Sequence, residues 1–335
     1  MTQQEPMTVA VAGATGFVGR HVVAELARRG HAVRALVRDT QKAAEVFRGL
    51  ADDAEITRIQ ADSIGSESAA RLVEGADACV NCIGIIREQD GQRFRALHVA
   101  AVDALLKACA AQGAARRFVQ ISALGVSSDG RAKYQATKAE GERLVRAGTI
   151  PWTILRPSAI LGDDGELMGQ LRGWAKGTEP PFLFMPYFSR RTDGRWTVIP
   201  GETEDPKIAP VLVQDVARAV ADALENASTE GEVYNLSGSE TVSWPELLEA
   251  VRDATPGAKK TIKPAGIPAP PAHLAAQVAG FVGLGGLLPF DPGMAAMAAE
   301  DSVADLAKFE ADFGFTPRSF REAFSHKAAA SGAGA

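Results

Sequence analysis

Short apolar runs alternate along the chain with segments whose apolar residues recur every three or four positions. This alternation predicts repeated βα units feeding a parallel sheet. The runs at 8–12, 32–37, 56–61, 78–83, 118–122 and 152–155 read as strands. Between them, Val18, Val22 and Leu26 keep helical spacing, as do Leu97, Ala101, Leu105 and Ala108, so one face of each helix is apolar. The first half is therefore an α/β, doubly wound unit.

Beyond Pro157 the pattern loosens into a stretch holding Trp174, Pro180, Pro181, Pro186 and Trp196. Strand-like runs return at 211–213 and 232–236, with a helix between them at 215–225. Ser243 followed by Glu246 forms a capping box that opens another helix. The division expected is a core at 1–157, a smaller C-terminal substrate lobe at 158–327 interleaved with it through the strand and helix near 211–236, and a disordered Ala/Gly/Ser tail at 328–335. From Pro264 to Phe290 the chain carries no Asp, Glu, Lys or Arg, and 274–288 is apolar or small apart from Gln277. A membrane span needs about 20 apolar residues, and this stretch is shorter, glycine-rich and bracketed by prolines. It reads either as a buried helix or lid over a pocket, or as a surface that docks on a membrane or a partner.

With 335 residues, 46% of them hydrophobic, the chain can bury a large core. A net charge of -5 with scattered Lys and Arg gives no electrostatic footprint for nucleic acid. Cys79 and Cys82 lie in the apolar run at 77–85, on opposite faces of a strand, and read as core residues. The five histidines (His21, His31, His98, His273, His326) show no ligand spacing, so no metal site is expected. The start of the chain lacks a targeting pattern, which points to the cytoplasm or, through 264–290, to a peripheral position at the inner membrane face.

Directly between the first strand and the first helix stands Gly13-Ala-Thr15-Gly16-Phe17-Val18-Gly19. Gly13 permits a tight turn, Gly16 lets a pyrophosphate approach the backbone, and Gly19 lets the helix pack close to the sheet, with Thr15, Phe17 and Val18 completing the turn. The helix start supplies free N–H groups to the phosphates. A Rossmann-type dinucleotide site follows. Arg38 ends the second strand where an NAD site would place a carboxylate, which favours the 2′-phosphate of NADP(H); Asp39 beside it leaves NAD(H) as the alternative. Asp62 with Ser63, and Cys82, Ile83 and Gly84, lie at carboxyl ends of strands, where such sheets bind ligands, and are assigned to the adenosine side of the cofactor.

Tyr134 and Lys138 fall one turn apart on one helical face. An ammonium beside a phenol lowers the phenol's pKa, and such a pair can exchange a proton with a carbonyl or hydroxyl.

These residues resemble the extended and atypical short-chain dehydrogenase/reductase superfamily. The resemblance rests on the glycine turn, on Tyr134 with Lys138, on Glu140-Gly141-Glu142, and on Leu155-Arg156-Pro157-Ser158-Ala159-Ile160-Leu161-Gly162. Within it, the chain is most similar to proteins related to the NAD(P)H-binding accessory subunit of respiratory complex I. That likeness is carried by Val80-Asn81-Cys82-Ile83-Gly84, by Tyr234-Asn235-Leu236-Ser237-Gly238, by the helix start at Val213 to Ala217 and by the apolar, Pro-flanked segment before Asp291. The resemblance implies Tyr134 as acid/base, Lys138 as its tuner and ribose anchor, and Pro157 and Ser158 in a loop over the nicotinamide. The family's third hydroxyl has Leu124 at its usual position, so Ser122 or Ser127 would replace it, and His98 stands where an Asn is usual. Two functions remain open: an NADP-dependent reductase, epimerase or dehydratase acting on a small molecule, or an inert NADPH-binding accessory or assembly subunit of a complex I-like assembly.

Overall fold

Val9 and Val11 point to one face of the first strand and Ala10 and Ala12 to the other, and all four are fully buried. A strand apolar on both faces belongs at the centre of a parallel sheet covered by helices on either side. The computed structural model describes residues 5–50, 54–89, 91–113, 115–281 and 290–322, and shows that arrangement. The first half runs β1 (Thr8–Ala12), α1 (Phe17–Arg28), β2 (Ala32–Val37), α2 (Thr40–Val46), β3 (Ile56–Gln60), α3 (Ser66–Val73), β4 (Ala78–Asn81), α4 (Ala101–Gln112), β5 (Arg117–Ile121), α5 (Lys133–Ala147) and β6 (Trp152–Pro157). One π-helical turn, Ala96–Ala100, leads into α4.

The second half adds β7 (Ile160–Leu161), α6 (Glu166–Lys176), β8 (Met185–Arg191), β9 (Thr203–Glu204), β10 (Lys207–Ile208), β11 (Val211–Leu212) and α7 (Val213–Glu225). It continues with β12 (Glu232–Leu236), β13 (Val242–Ser243), α8 (Trp244–Ala254), β14 (Pro264–Pro268), α9 (Ala269–Phe281), α10 (Pro292–Ala298) and α11 (Ala307–Phe313).

Seven parallel strands form the main sheet in the order β12-β6-β5-β4-β1-β2-β3. The order reverses between β1 and β4, which opens the crevice where such sheets bind ligands. One apolar cluster gathers Val9, Val11, Val22, Leu26, Val216 and Val220 beneath α1 and α7. A second gathers Ala10, Ala12, Leu72, Leu105 and Phe118 on the opposite face. Returning after the lobe has begun, β12 completes the sheet beside β6, and α7 lies against α1. A third cluster, with Leu161, Leu171, Met185, Leu247 and Phe320, belongs to the lobe, where β8 pairs with β14 and β9.

The apolar segment divides its faces. Along α9, Ala269, Ala272 and Ala276 are buried, whereas Leu274, Val278 and Phe281 are exposed, Phe281 by 93%. Residues 282–289 of that stretch, and the tail from 323, lie outside the described residues. No described helix is long and apolar enough to cross a membrane.

Candidate functional site

At the carboxyl end of β1 the chain turns at Gly13, whose φ of 77° is in the region that favours glycine. A Cβ there would stand 3.0 Å from the carbonyl carbon of Cys82 and from the nitrogen of Ile83, so the turn packs directly on the exit of β4. Gly16 N–H donates to the Gly13 carbonyl at 3.0 Å, and a Cβ on Gly19 would lie only 2.0 Å from that same oxygen. Any side chain at 19 would push α1 off the turn. Gly16 starts α1 with no side-chain cap and no acid in the first turn, which leaves its first N–H groups and its positive dipole end available to an anion. Asn81 holds the facing loop: it accepts from Ile83 N–H at 3.1 Å and donates to Gln120 at 2.9 Å. The residues present therefore fit a dinucleotide: a cradle that a Cβ would fill, and an uncapped helix end behind it.

Strand β4 stops at Asn81, so the expected run to 83 is too long. Cys82 and Ile83 belong to the loop that meets Gly13. All three cysteines are free thiols, and burial pushes Cys82 up to about 12 against the pull of the Lys138 charge.

Beyond Cys82, a Cβ on Gly84 would lie 3.2 Å from Lys138 Nζ and 4.0 Å from His98 Nε2, which brings α5 to the same loop. Lys138 is buried and donates to the Ile121 carbonyl at 3.1 Å. Burial lowers its pKa to about 8, with Glu142 and Cys82 acting the other way. Tyr134 is edge-on to the rings of Phe94 and His98, at 6.0 and 5.4 Å between centroids. Its phenol moves opposite to the expectation for a Tyr/Lys pair. Burial raises it to about 12, while the Lys138 ammonium is directed at a backbone carbonyl. Tyr134 is thus a protonated donor at every ordinary pH.

His98 lies in the π-helical turn. Its Nε2 accepts from Ile85 N–H at 3.3 Å, so the proton is on Nδ1, which meets Thr137 Oγ1 at 3.0 Å. Thr137 in turn donates to the Lys133 and Tyr134 carbonyls at 2.9 and 3.1 Å. Burial and the Lys138 charge lower His98 to about 3, so it is neutral.

Behind α5, Glu142 is 3% exposed and accepts from Arg156 at 2.8 and 2.6 Å, from Arg146 at 3.0 Å and from Ser122 Oγ at 2.6 Å. Burial alone would raise its carboxyl, but Arg156, Ser122 and Arg146 outweigh it and hold it below the usual range. The Ser122 proton is therefore committed to Glu142. Leu124 N–H donates to the Pro157 carbonyl at 2.8 Å. Ser158, also buried, donates to the Ala209 carbonyl at 2.6 Å.

Arg38, Asp62 and Ser63 stand exposed at the ends of β2 and β3. Asp39 Oδ1 accepts from Gln41 and Lys42 N–H at 2.8 and 3.0 Å and caps α2. The reading from sequence did not foresee Arg20, His21 and Asp164, which meet beside Phe17; only the fold brings residues 143 and 144 positions apart together.

Comparison with known proteins agrees with this geometry. Residues 13–178 match the NAD(P)H-binding family. The chain is 28% identical over 254 residues to the NADH dehydrogenase [ubiquinone] 1 alpha subcomplex subunit 9, mitochondrial, of Dictyostelium discoideum, covering 76% of this chain and 65% of that one. It is 32% identical over 176 residues to the ceramide reductase of Caulobacter vibrioides, covering 52% and 53%. The chain thus spans less than two thirds of either relative. Among solved structures it is similar to an NADPH-dependent quinone oxidoreductase from Escherichia coli complexed with NADPH, with a TM-score of 0.67, 20% identity and coverage of 96% and 99%. The chain thus has an NAD(P)H-binding fold like that of the short-chain dehydrogenases/reductases, with residues 13–178 matching the NAD(P)H-binding family, and in sequence it is similar to the complex I accessory subunits.

Proposed function

We propose that this chain is an NADP(H)-dependent reductase in which Tyr134 gives a proton to a substrate carbonyl and Lys138 anchors the cofactor's nicotinamide ribose. The observation that carries the reading is the position of Lys138: buried, and against Gly84 on the loop that the glycine turn packs upon. Bound NADPH would supply the hydride. Tyr134, kept protonated by burial, is suited to act as the acid in the reducing direction. Thr137 and His98 fix the first turn of α5 and so orient Tyr134. One oxygen of Asp39 caps α2, and Arg38, whose guanidinium has no partner among the described residues, is the cation available to a 2′-phosphate. The core at 1–157 and the β12 edge would hold the cofactor, and the lobe at 158–327 the substrate. Ser122, tied to Glu142, supports α5 in this reading and does not touch the substrate.

A second reading is favoured by that same commitment of Ser122, by Leu124, and by the relatives named as NADH dehydrogenase subunits. The chain would then hold NADPH without turnover and dock through the exposed Leu274, Val278 and Phe281 face of α9, on a partner assembly or at the inner membrane face. Turnover decides between them. NADPH oxidation by a panel of quinones, aldehydes and long-chain ketones should fall about 10²- to 10⁴-fold in Tyr134→Phe while NADPH affinity survives. Wild-type protein that binds NADPH and oxidises it with none of them would favour the accessory reading.

A further inference from the structure

Residues 162–165 cross the N-terminal end of α1 as a strap between β7 and α6. Its two glycines press on Phe17, in the phosphate turn. A Cβ on Gly162 would lie 2.9 Å from Phe17 Cζ and 2.8 Å from Val213 Cγ1, and one on Gly165 would lie 2.8 Å from Phe17 Cζ. Between the glycines, Asp164 reaches α1. Arg20 Nε donates to its Oδ2 at 2.7 Å and Arg20 Nη2 to its carbonyl at 2.7 Å, while His21 Nε2 stands 3.1 Å from both carboxylate oxygens. The Arg20 guanidinium lies 5.5 Å from the Phe17 ring centre, and the His21 ring meets Phe17 edge-on at 5.8 Å. Backbone N–H of Arg20 donates to the Gly16 carbonyl at 3.0 Å, so this cation is one turn beyond the groups that face the phosphates.

We propose that Arg20, His21 and Asp164 belong to the cofactor site as a latch: Asp164 fastens the strap over the pyrophosphate end of the cleft, and NADP(H) leaves only when these pairs open. The latch rests on cofactor binding at the glycine turn, and does not depend on whether the protein turns over. Three features make it a latch instead of a fixed strut. Arg20, His21 and Asp164 keep 25%, 22% and 46% of their side-chain surface in solvent, where an ion pair is weak and breaks readily. Glycines flank Asp164 on the strap and can absorb the backbone change. The strap also bears on Phe17 of the phosphate turn itself, so its position and the shape of the pyrophosphate site are coupled.

The test is stopped-flow release of NADPH, followed by its fluorescence, from full-length wild type, Asp164→Asn and Gly165→Ala. Both variants should release NADPH roughly fivefold faster, the first by loosening the pairs and the second by lifting the strap off Phe17. Raising the salt should bring the release rates of wild type and Asp164→Asn together, because the pairs are screened. Equal release rates at low salt, with NADPH bound by all three proteins, would overturn the latch. Slower release from Asp164→Asn would overturn it too. If wild type fails to bind NADPH at all, the cofactor assignment is what falls, and the latch falls with it.

Discussion

Two carboxylates grip arginines on opposite sides of the cofactor crevice, and they do so in different media. Glu142, behind α5, is 3% exposed and holds Arg156 through two hydrogen bonds, with Arg146 and Ser122 completing its shell. Asp164, on the strap over α1, holds Arg20 and His21 with 46% of its side chain in solvent. In both, burial raises the acid's pKa and the cationic and hydrogen-bonding partners outweigh it. What differs is the cost of separation. A buried charge cannot lose its partner without being left desolvated, whereas water replaces the partner of an exposed one. The first pair therefore fixes the helix that carries Tyr134 and Lys138, and the second can open and close.

The largest expected effect breaks the buried side of this comparison. Arg156→Ala should lower unfolding free energy by about 3 kcal/mol in urea titrations. Glu142→Leu combined with Arg156→Met should cost less than Arg156→Ala alone, because no charge is then stranded. Asp164→Asn, measured in the same way, should change stability by under about 1 kcal/mol, its effect falling on release rates instead. A comparable loss for both single variants would erase the distinction.

A smaller effect comes from Lys138. Its pKa is lowered to about 8, so the ammonium is present below that pH and lost as pH rises through it. NADPH affinity should therefore weaken by a few-fold between about pH 7 and 9, and this dependence should vanish in Lys138→Met. Neutral His98, titrating only near 3, contributes no inflection in that range.

Which parts of this were legible in the sequence follows from the range of the forces involved. The strands of the sheet could be read because a buried parallel strand must be apolar on both faces, as Val9 to Ala12 are. The glycine turn could be read because the phosphate site is made by backbone, and only glycine permits the approaches at Gly13 and Gly19. The end of β4 was overrun, because Cys82 and Ile83 are as apolar as the strand and only Asn81, folding its side chain back to Ile83 N–H, marks the exit. The raised Tyr134 pKa could not be read from i,i+4 spacing, which says nothing of where the Lys138 ammonium points. Nor could the strap: Gly-Asp-Asp-Gly at 162–165 reads as an ordinary loop until the fold carries it to Arg20.

The central claim is that the glycine turn binds a nicotinamide dinucleotide with Arg38 selecting the phosphorylated form. Calorimetric titration of wild type and Arg38→Ala with NADPH and NADH tests it most directly. NADPH should lose about ten- to a hundredfold in affinity, as expected for a charge-assisted hydrogen bond, while NADH changes little. Equal losses for the two cofactors would contradict it.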